Sequence, residues 1–348
     1  DSASCYRIPT IVRSPTTHTL FAFAEQRETS CSDNGDNNIV LRKSYDDGLT
    51  WDSIQIVAQG HGQPFSNPNP AIVMFENGTE SILLHFDTMN NPSSSKCNVD
   101  NSSLCLNMQI WSYDDGETWT NLQDITSFLP IEGQGCMPGP SIGIQSSINH
   151  NIYFSCHGMG PGVFIYYSKD YGQTWLYSDY VGDGITNECT IAFLSDDDDN
   201  DGEYVAMNCR TGSIRAQITF TPNGQIMEPP GIQYPNELID PNCQGSMISI
   251  PNTNSNNGGG GGGGEVVLYL SNDNSTSSRV HLTVKKSLDN GVTWDQGKLI
   301  WNGPSAYSQL VSWKQNNQDD VYTLGVLFEL GESSSYEGIG FVTWLSSD

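Results

Sequence analysis

The chain has 348 residues, a net charge of −26 at pH 7, and 36% hydrophobic residues, with 35 Gly and 17 Pro. The charge argues against nucleic acid or an anionic membrane surface as a partner, and no apolar run is long enough to form a transmembrane segment. The Gly and Pro content favours many short strands joined by tight turns, and so predicts an all-β protein.

The first predicted strand, Cys5 to Val12, contains a Pro that suits an edge strand or the start of a strand. A second strand, Thr19 to Ala24, leads through Arg27 into a long polar loop that ends at Asn38. Functional side chains favour such loops. Asp33 and Asp36 both lie in this loop and are rival candidates for a functional carboxylate, and either could also be a solvated loop residue.

An eight-residue pattern, S-x-D-x-G-x-T-W, occurs four times along the chain. Its Asp can hydrogen-bond the backbone that follows, its Gly accepts a positive φ, and its Trp leaves the turn to cover apolar surface. Each copy therefore predicts a hairpin between two strands. The copies are Ser44–Trp51, Ser112–Trp119, Ser168–Trp175 and Ser287–Trp294.

The spacing of these copies predicts a repeat architecture. Their first residues are 68, 56 and 119 positions apart, and the last interval is about two of the shorter ones. One copy is therefore expected to have decayed, with Thr219 to Gln225 as its candidate remnant. A period near 60 predicts four-stranded antiparallel sheets repeated around an axis, about six of them in a single domain spanning residues 1–348.

Glu188 lies in the middle of the apolar strand Gly184 to Ala192. A carboxylate in such a strand is costly unless it is paired or functional, and a structural ion pair is the alternative to a catalytic role. Further along, Asp197, Asp199 and Asp201 alternate in an acidic run that could bind Ca²⁺. No Glu follows at the twelfth position, which excludes an EF-hand loop and favours a solvated tip.

Nine cysteines are present, none in the C-x-x-C pairs typical of a zinc site, so disulfide bonds are favoured. The odd count leaves at least one thiol free or paired with another chain. Cys97 and Cys105 are close enough to close the polar insertion Pro92 to Leu104. Glycosylation and a secreted, extracellular or lumenal location are predicted from three N-x-[ST] sequons, at Asn77, Asn101 and Asn274.

The repeated turn resembles the Asp box of the sialidase (neuraminidase) superfamily, whose catalytic domain is a six-bladed β-propeller. Tyr6-Arg7-Ile8-Pro9 is similar to the F/Y-R-I-P motif of sialidases, which implies that Arg7 is one of three Arg that bind the carboxylate of sialic acid. The segment from Arg27 to the first box resembles the one that carries the acid/base Asp, a role this resemblance gives to Asp33.

Other segments extend the resemblance over nearly the whole chain. Four of only seven Arg fall on family positions, namely Arg7, Arg27, Arg210 and Arg279, and Arg27 is expected to bind substrate close to the other three. Cys189 and Cys209 flank Glu188 and Arg210 on strands expected to be neighbours, so a Cys189–Cys209 disulfide is predicted. The remaining implied residues are Asn67 in an N-P-x-P segment, Glu188 in an N-E-x strand, Arg210 and Arg279 as the other carboxylate-binding Arg, Gln244 in a C-Q-G-S turn, and Tyr307 in an S-x-Y-S-x-L segment.

The resemblance implies a chemistry that suits these groups. Three guanidinium groups can bind and neutralise the carboxylate of sialic acid, and a neutral Tyr nucleophile avoids the repulsion that a carboxylate nucleophile would meet. Glu188 is expected to act as the base for Tyr307, while Asp33 protonates the leaving oxygen and later activates water. No metal or other cofactor is expected.

The sequence therefore predicts a retaining exo-α-sialidase that acts on sialylated glycans of glycoproteins or glycolipids. A trans-sialidase, in which an acceptor sugar replaces water, would use the same residues. A catalytically inactive sialic-acid-binding lectin or coat propeller is the alternative from a different class of protein. Such a binder would need the Arg residues but not Asp33, Glu188 or Tyr307.

Overall fold

The computed structural model describes residues 3–89, 105–129, 136–159, 162–182, 184–194, 203–252, 266–314 and 321–347. Within these ranges the chain forms 22 β-strands and one short 3₁₀ turn, Thr126–Phe128, and no α-helix. All strand pairs within the sheets are antiparallel. The predicted all-β fold class is confirmed.

Five hydrogen-bonded sheets follow one another along the chain. The first contains β1 (Cys5–Arg13), β2 (Leu20–Arg27), β3 (Asn37–Ser44) and β4 (Gln55–Ala58), and the second contains β5 (Ser66–Met74), β6 (Glu80–Met89), β7 (Cys105–Ser112) and β8 (Gln123–Asp124). The third contains β9 (Met137–Pro138), β10 (Ile144–Gln145), β11 (Ile152–Met159), β12 (Gly162–Ser168) and β13 (Leu176–Tyr177). The fourth contains β14 (Cys189–Phe193), β15 (Val205–Cys209) and β16 (Ala216–Phe220), and the fifth β17 (Ser246–Pro251), β18 (Val266–Asp273), β19 (Val280–Ser287), β20 (Lys298–Lys314), β21 (Tyr322–Leu330) and β22 (Gly338–Leu345).

The expected set of six four-stranded sheets is wrong in number for the described residues, because the last sheet has six strands. Its long strand β20 causes the difference. Residues Lys298 to Pro304 of β20 pair with β19, whereas Ser305 to Lys314 pair with β21. One continuous strand thus joins two groups of strands that would otherwise be separate sheets.

The inner strands close into a ring, which makes the fold a β-propeller. Strand β1 packs against β5 and β20, β5 against β10, β10 against β14, β14 against β17, and β17 against β20. Apolar side chains fill the spaces between neighbouring sheets, as Phe23 and Phe86 do between the first and second. A further apolar cluster, including Ile248 and Phe328, packs the two halves of the six-stranded sheet together.

The four repeated turns share one hydrogen-bond network, seen in the first copy. The Ser44 hydroxyl donates to Asp46 Oδ1 (2.8 Å) and accepts from the amide of Gly48 (2.9 Å), while Thr50 donates to Asp46 through its amide (2.8 Å) and its hydroxyl (2.6 Å). Asp47 and Gly48 both have positive φ, 55° and 90°. The same contacts recur around the other three box aspartates, Asp114, Asp170 and Asp289.

Each box follows the third strand of its group, at the end of the sheet opposite to Arg7. In the first sheet Cys5 pairs with Arg27 and Arg27 with Asn37, whereas Leu20 pairs with both Arg13 and Ser44 at the other end. The candidate remnant occupies the equivalent place after β16. There the amide of Thr221 donates to the Gln225 carbonyl (2.9 Å), without a box Asp.

Three disulfides are present in the described residues, and one of them was predicted. Cys189–Cys209 has Cα atoms 4.1 Å apart on paired strands, which confirms that prediction. Cys105 is disulfide-bonded, and its predicted partner Cys97 lies outside the described residues. Cys243 is a free, buried thiol, which is one of the two outcomes that the odd number of cysteines allowed. The two disulfides that the sequence did not predict are Cys5–Cys31 and Cys136–Cys156.

Some predictions fall on residues that the structure does not describe. They are the possible calcium ligands Asp197, Asp199 and Asp201, and the sequon at Asn101. The other two sequons are described: Asn77 is exposed in the turn before β6, and Asn274 is partly exposed after β18. Among the described residues, no helix has the length and apolar character needed to span a bilayer.

Candidate active site

Tyr307 in β20 and Glu188 are in direct contact, although 119 residues separate them in sequence. Glu188 lies directly before β14, which begins at Cys189, so the prediction that it stands in the middle of a strand is wrong. The Tyr307 hydroxyl donates to Glu188 Oε1, and both residues are buried, at 7% and 8% exposure. Burial and the nearby Glu188 carboxylate raise the pKa of Tyr307 well above its ordinary value, so the phenol is neutral. A neutral hydroxyl is therefore hydrogen-bonded to a carboxylate that can accept its proton.

Arg210 keeps Glu188 ionised. Its Nη1 donates to Glu188 Oε2 (2.5 Å) and to the Tyr307 hydroxyl oxygen (3.3 Å). Burial acts to raise the pKa of Glu188, but Arg210, His157 and the Tyr307 hydroxyl together outweigh this effect, and the net pKa lies below the ordinary value. The Arg210 amide also donates to the Glu188 carbonyl (3.0 Å), and these two residues are the direct neighbours in sequence of Cys189 and Cys209, which form a disulfide. This disulfide therefore fixes the strand ends that carry both side chains.

Arg7 approaches the Tyr307 ring from strand β1. Its guanidinium carbon lies 5.1 Å from the centre of the Tyr307 ring and 4.1 Å from that of Tyr336. The buried Glu329 accepts from Arg7 Nε (2.9 Å) and Nη2 (3.1 Å). Burial acts to lower the pKa of Arg7, but Glu329, together with Tyr307 and Tyr336, outweighs this effect, so Arg7 stays charged.

Arg279, directly before β19, completes a set of three Arg around Tyr307. Its guanidinium carbon is 5.6 Å from the centre of the Tyr307 ring. Arg279 Nη1 donates to the Tyr336 hydroxyl (2.9 Å) and Nη2 to the Asn242 carbonyl (3.0 Å). The structure thus brings together the three Arg that the sequence grouped.

Asp33 lies beside Arg27, on the loop between β2 and β3. Arg27 Nη1 donates to Asp33 Oδ1 (2.9 Å), and Arg7 Nη1 is 3.7 Å from the same oxygen. The side chain of Asp33 is 66% exposed, which leaves it accessible to a ligand and to water. Its rival Asp36 instead accepts from the backbone amide of Gly62 (3.0 Å). The geometry favours Asp33 over Asp36.

Two predicted contact residues have structural partners of their own. Asn67, at φ 55°, donates its side-chain amide to the buried Asp87 (2.8 Å) and its backbone amide to Glu25 (2.9 Å). Gln244 is buried and uses both ends of its carboxamide, donating to the Pro140 carbonyl (3.0 Å) and accepting from the Ser308 amide (2.9 Å). Contact of either residue with a substrate stays a prediction.

The strands bulge where they carry site residues. The pairing register shifts between Arg7 and Thr10 in β1, between Ser66 and Asn69 in β5, and between Ser305 and Ser308 in β20. Bulges bend a strand and re-aim its side chains. The Glu329 carboxylate also accepts from the backbone amides of Ile8 (2.9 Å) and Tyr307 (3.1 Å), so it holds two of these irregular segments together.

Sequence reasoning missed several partners of the site. Glu329 and Glu25 both lie within strands next to apolar residues, so the signal that identified Glu188 could have identified them as well. Asn242 and Tyr336 lie in irregular segments and carried no comparable signal. In the part of the chain that the structure describes, no group of three or more His, Cys, Asp or Glu side chains could hold a metal ion.

The sequence is similar to those of known proteins along most of its length. Residues 18–319 match the family model of the BNR repeat-like domain. Sialidase-2 of Cricetulus griseus is 26% identical over 97% of this chain and 91% of its own length, and a sialidase of Micromonospora viridifaciens is 28% identical over 98% of this chain and 52% of its own length.

Solved structures share the fold. The Hadza microbial sialidase Hz136 superposes with a TM-score of 0.80 at 24% identity, covering 100% of this chain and 67% of its own. An intramolecular trans-sialidase from Ruminococcus gnavus has a TM-score of 0.75 at 15% identity, covering 99% of this chain and 95% of its own.

The chain belongs to the BNR repeat-like domain family. It is also a member of the sialidase superfamily, and it is a glycoside hydrolase of the sialidase class.

Proposed function

We propose that this protein is a retaining exo-α-sialidase that releases terminal sialic acid from glycoproteins or glycolipids, with Tyr307 as its nucleophile. The observation that carries the proposal is the hydrogen bond from the Tyr307 hydroxyl to Glu188, surrounded by Arg7, Arg210 and Arg279. A nucleophile hydrogen-bonded to its general base is the arrangement that covalent catalysis requires.

The three Arg supply the binding site for the substrate carboxylate. Guanidinium groups bond carboxylates in a planar, two-point geometry, and such charge-assisted bonds are among the strongest hydrogen bonds in proteins. Sialic acid carries its carboxylate on the anomeric carbon. Binding the carboxylate near the Tyr307 ring therefore brings the anomeric carbon close to the phenol oxygen.

In the first step, the Tyr307 oxygen attacks the anomeric carbon and its proton passes to Glu188. The bond from that carbon to the leaving oxygen breaks, and Asp33 gives this oxygen a proton, so a sialosyl–Tyr307 intermediate and a free aglycone result. In the second step, water attacks the same carbon and gives a proton to Asp33. The bond to Tyr307 breaks, and Glu188 returns the proton to the phenol. Two inversions retain the configuration.

The raised pKa of Tyr307 fits this sequence of steps. Burial and Glu188 raise the pKa, so the phenol carries no charge when the substrate carboxylate arrives. An ionised nucleophile in the same place would repel that carboxylate. Only when the anomeric carbon becomes electron-deficient does transfer of the proton to Glu188 become favourable.

We also place the protein in a secreted or lumenal compartment. Disulfides persist in oxidising compartments, and the described residues contain the pairs Cys5–Cys31, Cys136–Cys156 and Cys189–Cys209. Two described sequons lie at least partly exposed, as a glycan would require.

Replacing the nucleophile tests the mechanism. Tyr307→Phe keeps the ring and should lower kcat by on the order of 10³-fold or more while sialic acid still binds. Tyr336→Phe is the matched control, since it removes a hydroxyl that contacts Arg279 and leaves the nucleophile in place, so most turnover should remain.

A fluorinated sialosyl fluoride should in addition label Tyr307 of the wild type, as peptide mapping would show. Full activity of Tyr307→Phe, or a label on Asp33 or Glu188, would refute the assignment. The products formed in the presence of an acceptor sugar separate hydrolysis from sialyl transfer. Binding of sialic acid without turnover would identify a lectin instead.

A further inference from the structure

Two of the three Arg around Tyr307 meet on a single exposed residue, Asn242. Arg210 Nε donates to the side-chain oxygen of Asn242 (2.7 Å), and Arg279 Nη2 donates to its backbone carbonyl (3.0 Å). These Arg come from different sheets, because Arg210 follows β15 and Arg279 precedes β19. We propose that Asn242 is a positioning residue that sets the spacing of Arg210 and Arg279 and thereby their fit to a carboxylate ligand. This inference rests on the proposed function.

The backbone of Asn242 is itself in a restricted conformation. Its φ is 64°, in the left-handed region that most side chains avoid and that Asn tolerates better than nearly all others. In this conformation the side-chain oxygen reaches Arg210 while the carbonyl reaches Arg279. One residue can therefore hold both cations only because of this turn.

A buried ion pair stabilises the turn that contains Asn242. Asp240 and Arg215 are fully buried, with Arg215 Nη1 3.8 Å from Asp240 Oδ2. Asp240 Oδ1 accepts from the amide of Cys243 (2.9 Å), and Oδ2 accepts from the amide of Thr211 (2.8 Å). Arg215 Nη1 also donates to the Cys243 carbonyl (2.9 Å).

These contacts tie the two segments that meet at Asn242. Thr211 follows Arg210 directly, and Cys243 follows Asn242 directly, so Asp240 fixes the backbone on both sides of the Arg210–Asn242 bond. The arrangement is rigid where the two Arg are held, which is what pre-organised binding of an anion needs.

The two bonds of Asn242 can be separated by substitution. Asn242→Gly keeps the positive φ and the carbonyl that binds Arg279, and removes only the oxygen that orients Arg210. We expect KM for a fluorogenic sialoside, and Kd for 2,3-dehydro-2-deoxy-sialic acid, to rise roughly fivefold or more. The effect on kcat should be smaller, since Tyr307 and Glu188 are still in contact.

Asn290→Gly is the matched control. Asn290 also has a positive φ, 56°, and its carbonyl also accepts from a side chain, that of Gln217 (2.9 Å). It lies in the fourth box, on the rim opposite to the site. Its replacement should leave KM and Kd unchanged. A general effect of glycine at a turn with positive φ would appear in this variant as well, and can be separated from the effect at residue 242.

Asn242→Asp separates positioning from a purely structural role. Asp is nearly isosteric with Asn and is also found at positive φ, so a residue needed only for the turn would tolerate the change. A carboxylate between Arg210 and Arg279 would instead compete with the ligand's carboxylate for both guanidinium groups. We expect Kd to rise roughly tenfold or more, a larger loss than with Asn242→Gly.

Wild-type affinity in either Asn242 variant would overturn the inference, and Asn242→Asp keeps it testable if the Gly variant fails to fold. A loss of the same size in Asn290→Gly would overturn it as well. Failure of the proposed function would be visible separately, because the wild type itself would then neither bind the sialic acid analogue nor cleave the sialoside.

Discussion

The cationic side chains of the site differ in how far their charge is already neutralised. Arg7 is paired with Glu329 (2.9 Å) and Arg210 with Glu188 (2.5 Å). Arg279, in contrast, makes no ion pair within the described residues, since its partners there are a phenol and a backbone carbonyl. Its charge is therefore the least compensated, and we expect it to contribute most of the attraction for a ligand carboxylate.

A buried carboxyl group near this site, that of Asp273, should make the stability of the protein depend on pH. Asp273 is fully buried and accepts from the Ser305 hydroxyl (2.5 Å), two residues before Tyr307. Burial raises the pKa of Asp273 to about 7, against the smaller opposing effects of Ser305, Cys243 and Arg279. In an unfolded chain the same group titrates near pH 3.9.

Between these two pKa values the folded protein holds a proton that the unfolded chain has lost. The stabilisation from the protonated Asp273 is complete below the unfolded pKa and is lost as the pH rises towards the folded pKa, by up to about 1.4 kcal/mol per pH unit. Asp273→Asn removes this titration. Denaturant unfolding at pH 5 and pH 7.5 should show the wild type losing stability relative to the variant, and equal pH dependence of the two proteins would contradict the assignment.

At the scale of elements, the loop between β2 and β3 is the most consequential irregular segment. It carries Asp33, and the Cys5–Cys31 disulfide ties it to the first strand. Asp33 has no strand of its own to hold it, so its position depends on this disulfide and on Arg27. Removing the bridge should therefore impair general acid catalysis more than ligand binding.

The double variant Cys5→Ser, Cys31→Ser tests this dependence. Loss of a native disulfide costs about 2 to 5 kcal/mol of stability in typical cases. We expect kcat to fall further for a natural sialoside, whose leaving oxygen needs a proton, than for an aryl sialoside with an acidic leaving group. The matched control is Cys136→Ser, Cys156→Ser, which should lose stability without distinguishing the two substrates. An equal fall for both substrates in the first variant would contradict the role given to the loop.

The boxes were predictable because their chemistry is local. Ser44, Asp46 and Thr50 are within six residues of one another and close their own hydrogen bonds, so sequence alone specifies the turn. The unbroken strand β20 was not predictable. Whether two strand segments around Gly303 and Pro304 join or separate depends on β19 and β21, which pair with its two halves.

The candidate site follows the same division. Arg7, Glu188 and Tyr307 stand in motifs that can be recognised from the sequence, and the structure brings them together. Their supports could not be identified in this way. Glu329 lies 322 residues from Arg7, and only closure of the ring makes them partners. The two Arg that bond Asn242 come from separate sheets, and no local sequence pattern predicts this contact.

At the scale of the whole molecule, the candidate active site and the stabilising box turns lie at opposite ends of the propeller. In the first sheet Arg7 stands at one end and the box residue Ser44 at the other, and the other three boxes likewise follow the third strand of their groups. The boxes are largely exposed turns whose bonds are internal. Weakening one of them should reduce the stability of the ring without moving the guanidinium groups at the opposite rim.

The second box offers a matched pair of variants for this separation. Asp114 accepts from Ser112 (2.9 Å) and from the amide (2.9 Å) and hydroxyl (2.6 Å) of Thr118, whereas its neighbour Asp115 is outside this network. In a chain of charge −26, removing any carboxylate relieves some repulsion. Asp114→Ala and Asp115→Asn change the charge equally, and Asn keeps the positive φ of 55° at residue 115.

We expect Asp114→Ala to have the lower Tm of the two, with kcat/KM for a sialoside the same in both within about twofold. The hydrogen bonds from Thr118 lower the pKa of Asp114, so its stabilisation is present above the unfolded pKa and is lost as the pH falls through the folded one. The difference in Tm should therefore be largest near neutral pH and shrink below about pH 4. A fall in kcat/KM confined to folded Asp114→Ala would instead mean that the two rims are coupled through the sheet.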